Sequence, residues 1–161
     1  MSNLATLIAD QDRRHALRPW TNFEAFEAVP QLVIARGEGA WLHDIEGKTY
    51  LDAVGGLWCT NIGLGRAEMA DAIADQVREL AFSSTFVDMT NAPAAMLAAK
   101  IASLAPGDLN RVHFTTGGST AVDSAYRMVH FYQASRGMPG KCHVIARDNG
   151  YHGSTFASMS I

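Results

Sequence analysis

Two short runs hold the residues whose types and spacing could do chemistry. The first, "GGST", sets Gly117 and Gly118 ahead of Ser119 and Thr120 and opens a segment of helical character. At such a junction glycines let the backbone approach a ligand closely, and the first N–H groups of the helix point outward at the positive end of its dipole. That arrangement suits a phosphate, with the Ser119 hydroxyl able to donate to one of its oxygens. A tight turn followed by a serine cap uses the same residues, and spacing does not separate the two uses. The run lacks the third glycine of a dinucleotide fingerprint and the Gly-Lys-Ser/Thr ending of a P-loop, which disfavours a dinucleotide or a nucleoside triphosphate. The second run, "NGYHGST" (149–155), places Tyr151 and His152 between glycines. Its aromatic ring could cover a flat heterocycle, and an ordinary turn with a packed Tyr151 fits the same residues.

Elements around these runs must bring them together. Residues 111–115 read as a strand, 116–119 as a turn, 120–135 as a helix closed by Gly137, and 142–147 as a second strand after a Pro139-Gly140 turn. That order is a βαβ unit, which implies a parallel sheet with a right-handed crossover and both loops at its carboxyl edge. Upstream, Met69, Ile73, Val77 and Leu80 fall at helical spacing within 66–81, and a second helix is expected over 92–104, with Pro93 in its first turn and Pro106-Gly107 beyond its end. Residues 31–53 read as an antiparallel meander with turns at 37–39 and 46–47, preceded by a short helix over 2–14 that Ser2 caps and Pro19 ends. Ser154 or Thr155 is placed to cap one more helix.

Composition narrows the partners. With 161 residues, 48% of them hydrophobic and 18% charged, the chain has the size and balance of one soluble globular domain. A net charge of -3 without a basic run argues against nucleic acid, and the absence of any apolar run of about 18 residues argues against a membrane span. Cys59 and Cys142 are too few for a disulfide framework and read as reduced structural thiols. No secretory leader is recognisable, so a cytoplasmic location and a small-molecule partner are expected. A single βαβ unit is an odd place for a sheet to stop, and the chain reads as the front part of something longer.

Taken in order, "DIEGKTYLDAVGGLWCTNIGLG", "FTTGGSTAVDSAYRMVHFYQ" and "RDNGYHGST" resemble the class III, omega-type aminotransferases that use pyridoxal phosphate, from about residue 15 to residue 161. The resemblance implies an α/β fold, the truncated N-terminal part of a fold type I PLP-dependent transferase. Residues 1–65 then form the N-terminal helix and meander of the small domain, and 66–161 the incomplete start of the large, mostly parallel PLP-binding domain. It further implies pyridoxal 5'-phosphate as cofactor, with Gly118 and Ser119 on the phosphate, Tyr151 on the pyridine ring and His152 in a supporting role. Trp58 matches a residue lining the substrate pocket, although a core tryptophan beneath the meander is the alternative for it. Phe82 and Phe86 are left outside the site. Thr120 stands where many relatives carry Glu.

The implied reaction moves an amino group from an omega-amino acid or primary amine to a keto acid, with pyruvate the expected acceptor, in a homodimer whose active sites lie at the subunit interface. The family's Schiff-base lysine and the carboxylate that faces the pyridinium nitrogen are expected beyond residue 161. Lys48, Lys100 and Lys141 are not in the catalytic lysine's setting, so the chain is expected to hold no catalytic residue and to be inactive alone. The alternatives are another class III branch (diamine, acetylornithine-type or aminomutase) and a non-catalytic binding module that pairs with a longer protein.

Overall fold

The computed structural model describes residues 2–161. They divide into two compact units, one ending at Phe82 and the other running from Ser83 to Ile161. These units are divisions by contact and leave the expected boundary after residue 65 a proposal.

The first unit opens with α1 (Asn3–His15), where the Ser2 side chain accepts the Ala5 N–H at 3.2 Å and Arg13, Arg14 and His15 face the negative end of the dipole. A short helix α2 (Phe23–Ala28), not foreseen from sequence, is capped by Asn22, which accepts the Ala25 N–H at 3.2 Å. The expected meander follows as β1 (Ile34–Glu38), β2 (Trp41–Asp44) and β3 (Thr49–Leu51), antiparallel in the order β1-β2-β3. Its first turn falls at Gly39 and Ala40 rather than at 37–39. Gly37 instead lies inside β1, where a Cβ would collide with the Leu64 side chain. The second turn is built on Asp44, whose Oδ1 accepts the N–H groups of Glu46 at 3.0 Å and Lys48 at 2.8 Å while Oδ2 takes the Tyr50 hydroxyl at 2.9 Å. Desolvation pushes the Asp44 carboxyl upward, but these three bonds outweigh it and hold the group below its ordinary value. A tight turn, α3 (Gly55–Trp58), leads to α4 (Ala67–Leu80), one residue shorter at each end than its periodicity predicts.

In the second unit α5 (Ala92–Leu104) has the expected bounds, with Asn91 accepting the Ala94 N–H at 3.0 Å and Pro93 in the first turn. Helix α6 (Gly118–Ser135) starts two residues before the expected Thr120, and a 3-10 helix (Ser158–Ser160) stands in place of the further helix expected after Ser154. One expectation is corrected here. Residues 111–115 and 142–147 flank α6 without forming strands, and the parallel pairing of a βαβ unit does not occur among the described residues. A strand exists only through its ladder, and neither segment has a neighbour to bond with.

The same lack of neighbours governs burial. Accessible surface is 13362 Å² for a chain of 17.4 kDa, against about 7,900 Å² for a compact monomer of that mass. Ala5 and Ala9 are the buried apolar residues among those described, whereas Met69, Ile73 and Val77 on α4 and Met96, Leu97 and Leu104 on α5 are exposed. No helix among the described residues is long and apolar enough to cross a membrane. Uncovered apolar faces of this extent attract one another and hydrophobic dyes. The isolated chain is expected to bind an anilinonaphthalene dye and to sediment as species heavier than 17.4 kDa; a dye-silent monomer in the ultracentrifuge would contradict this.

Candidate functional site

Both sequence runs lie in the second unit, and the structure brings them together. Gly117 occupies the N-cap position of α6 with an extended backbone (φ 174°) and supplies no side-chain cap. Its carbonyl accepts the hydroxyls of Thr115 at 3.0 Å and Thr120 at 2.8 Å and the Ala121 N–H at 3.0 Å. The N–H groups of Gly118, Ser119 and Thr120 have no acceptor among the described residues. They point from the positive end of an 18-residue helix.

Ser119 is not the cap that its position first offers. It sits inside the first turn, and its Oγ accepts the Ser154 N–H at 3.0 Å, so the hydroxyl proton is left to donate. Glycine at 117 and 118 is required neither by a left-handed backbone nor by packing, since a Cβ at either position meets nothing within 4 Å. Free N–H groups, an available hydroxyl proton and open space above two glycines together fit an anion such as a phosphate.

The second run is locked onto this helix end. The Ser158 N–H donates to Asp123 Oδ1 at 2.7 Å, and the Thr155 hydroxyl lies 3.0 Å from Ser158 Oγ beside it. Ser158 is buried, at 1% exposure. Gly153 is buried with φ +146°, and a Cβ there would run into the Ser158 hydroxyl and come within 2.8 Å of Ser119 Oγ. The Thr155 hydroxyl is the main reason that the Asp123 carboxyl lies below its ordinary value; burial opposes it, and the Ser158 N–H adds to it.

Tyr151 precedes this junction, 60% exposed as a residue and with its hydroxyl 2.8 Å from Ser154 Oγ, so it is not packed away in a turn. His152 packs its ring against Gly150, where a Cβ would stand 3.0 Å from Nε2. Asp123, Gly153 and Ser158 were not singled out from sequence, and Thr155 was offered there only as a helix cap. One signal was available, because Asp123 lies four residues after Ser119 and therefore on the same helix face.

Trp58 belongs to the first unit. It is 77% exposed and is not a core residue beneath the meander. Backbone from Gly55 to Trp58 is left-handed throughout, with φ of +59°, +59°, +62° and +65°. Leu57 and Trp58 have no glycine freedom, so each costs about 1–2 kcal/mol. The Gly56 N–H on Asp52 Oδ2 at 2.8 Å and the Trp58 N–H on the Val54 carbonyl at 2.9 Å hold the turn.

Solved structures carry the same fold. An (S)-enantioselective omega-transaminase from Thermomicrobium roseum is 38% identical with a TM-score of 0.93, covering 97% of this chain and 35% of its own. The omega transaminase from Pseudomonas jessenii in complex with PMP is 34% identical with a TM-score of 0.88, over 92% of this chain and 33% of that one. The fold is thus that of the N-terminal part of a fold type I PLP-dependent transferase.

The chain belongs to the class III aminotransferases, whose profile, Aminotransferase class-III, matches residues 24–161. Putrescine--pyruvate aminotransferase from Pseudomonas aeruginosa is 44% identical over 149 residues, which are 92% of this chain and 33% of that protein. The chain spans about a third of the length of the relatives it matches.

Two outcomes follow from the junction. Gly153→Ala is expected to lower stability by about 1–3 kcal/mol, read as a fall in the thermal midpoint; an unchanged midpoint would refute the close contact. A depressed carboxylate contributes stability that is present above its ordinary value of 3.8 and is lost as pH falls through its lowered folded value. The Ser158 amide resonance should therefore titrate with a midpoint below 3.8, and a midpoint above it would remove the bonded carboxylate from the account.

Proposed function

We propose that the protein to which this chain belongs is a pyridoxal 5'-phosphate-dependent aminotransferase that moves an amino group from a primary amine, such as a diamine or omega-amino acid, to pyruvate. The observation that carries this reading is the Ser154-to-Ser119 hydrogen bond, which sets the Tyr151 loop beside an uncapped helix end. The name of the Pseudomonas aeruginosa relative, with its diamine donor and pyruvate acceptor, supports the choice of substrates.

When bound, the cofactor supplies an electron sink for the carbon that loses its proton. The work of this chain is to hold it. The N–H groups of Gly118 and Ser119 and the Ser119 hydroxyl take the phosphate, where the helix dipole favours negative charge. Tyr151 covers one face of the pyridine ring and excludes water from it, and its hydroxyl, bonded to Ser154, fixes the ring's tilt. His152 supports that loop through its contact with Gly150.

Trp58, presented on a strained turn, limits the size of the amine. The lysine and the carboxylate that complete the reaction lie outside these 161 residues in this reading. Lys48 is engaged with the Tyr50 ring, 5.1 Å from its centroid. The full-length protein is read as a cytoplasmic homodimer.

In the full-length protein, Ser119→Ala is expected to weaken pyridoxal phosphate binding about tenfold, followed by cofactor absorbance during dialysis. Unchanged affinity would overturn the phosphate assignment. With putrescine as donor, pyruvate should be converted to alanine, while the 161-residue chain mixed with cofactor should give no turnover. Use of 2-oxoglutarate in place of pyruvate would move the protein to another branch of the family. Trp58→Ala should raise kcat/KM for bulky amines relative to small ones, and an unchanged ratio would take Trp58 out of the pocket.

A further inference from the structure

Among the described residues little apolar surface is buried, yet the polar Ser158 is, at 1% exposure, and it lies where two segments 35 positions apart meet. Burying polar groups is unfavourable unless they are bonded, and here they are. Asp123 accepts from the Ser158 N–H, the Thr155 N–H reaches Ser158 Oγ at 3.2 Å, the Thr155 hydroxyl lies 3.0 Å from the same oxygen, and the Ser154 N–H reaches Ser119 Oγ. A Cβ on Gly153 would stand 2.8 Å from Ser119 Oγ, so its absence lets the loop approach the helix.

Resting on the phosphate reading above, we propose that Asp123 is a positioning residue for the cofactor phosphate: by anchoring the 153–158 loop, it keeps the Ser154 N–H on the Ser119 hydroxyl and so aims the Ser119 proton at the phosphate. The logic is that of donor and acceptor counting. A serine hydroxyl has one proton and can rotate, so alone it would donate to whichever acceptor is nearest. A fixed N–H arriving at its oxygen occupies a lone pair and restricts that rotation.

The Ser154 N–H is fixed only if the loop is, and the loop is held from behind by Asp123, one helical turn after Ser119. Asp123 also belongs to the part of α6 nearest the site, since its carboxylate is four residues along the same face. It touches neither cofactor nor substrate in this account and acts through Ser119 alone. Its carboxylate is ionised at neutral pH, as an ordinary carboxylate is, and the surrounding donors hold its pKa lower still.

The experiment compares pyridoxal phosphate with pyridoxal, which lacks the phosphate, on the full-length protein. Dissociation constants for both are measured for the unaltered protein and for Asp123→Ala, Asp123→Asn and Ser119→Ala. Asp123→Ala is expected to weaken pyridoxal phosphate about tenfold and to leave pyridoxal within about twofold, so that the ratio of the two collapses toward that of Ser119→Ala. Asp123→Asn, which keeps one acceptor oxygen for the Ser158 N–H, should fall between, and it carries the comparison if the alanine variant does not fold. An unchanged ratio in the Asp123 variants beside a lowered ratio in Ser119→Ala would overturn the positioning role. Equal loss of both ligands would also overturn it, because a general loosening of the loop affects ring and phosphate alike. An unchanged ratio in Ser119→Ala would instead overturn the phosphate reading on which the proposal rests.

Discussion

The hydrogen bond from the Ser154 N–H to the Ser119 hydroxyl, 3.0 Å long across 35 residues of sequence, is the constraint on which the rest of the site depends. It fixes where the Tyr151 loop stands relative to the first turn of α6. It also decides what Ser119 can still do, since a hydroxyl that accepts from the backbone keeps its proton for something else. The bond persists because Gly153 has no Cβ to hold the loop away and because Asp123 ties down the loop behind it. Three polar groups and one glycine thus accomplish what apolar packing does in most junctions of this kind.

The contrast with the remainder of the chain is physical. Helix caps are local: Ser2, Asn22 and Asn91 each satisfy an N–H three residues on, whatever surrounds them. Asp44 does the same for the β2–β3 turn. Apolar faces and sheet ladders are non-local, and on α4, on α5 and along residues 111–115 and 142–147 they meet no partner among the described residues. The polar junction at α6 is a non-local contact completed within the second unit. That is why the first turn of α6 meets its loop while residues 111–115 and 142–147 form no sheet.

Legibility from sequence follows the same division. Helices α1, α4 and α5 and the meander could be read, because periodicity, caps and turn residues record them locally. The Gly118-Ser119 turn and the Tyr151-His152 loop were also legible, by chemistry and by resemblance, and the structure joins them. What escaped was set by tertiary approach. Asp123 looks like an ordinary helix residue until the loop arrives. The glycine of the first meander turn was misplaced because Gly37 answers to Leu64, 27 residues away, rather than to the turn. The strands around α6 were expected from their composition, which cannot supply a neighbour. Trp58 was open between core and pocket, and its left-handed backbone on a turn begun by Gly55 and Gly56 sets its side chain outside the meander.

A crystal structure of the full-length protein with pyridoxal phosphate bound tests the central claim most directly. The account requires phosphate oxygens about 3 Å from the Gly118 and Ser119 N–H groups and from Ser119 Oγ, with the Ser154 N–H still on that hydroxyl and the Tyr151 ring over the pyridine. A phosphate bound away from the first turn of α6, or a Ser119 hydroxyl released by Ser154, would contradict it.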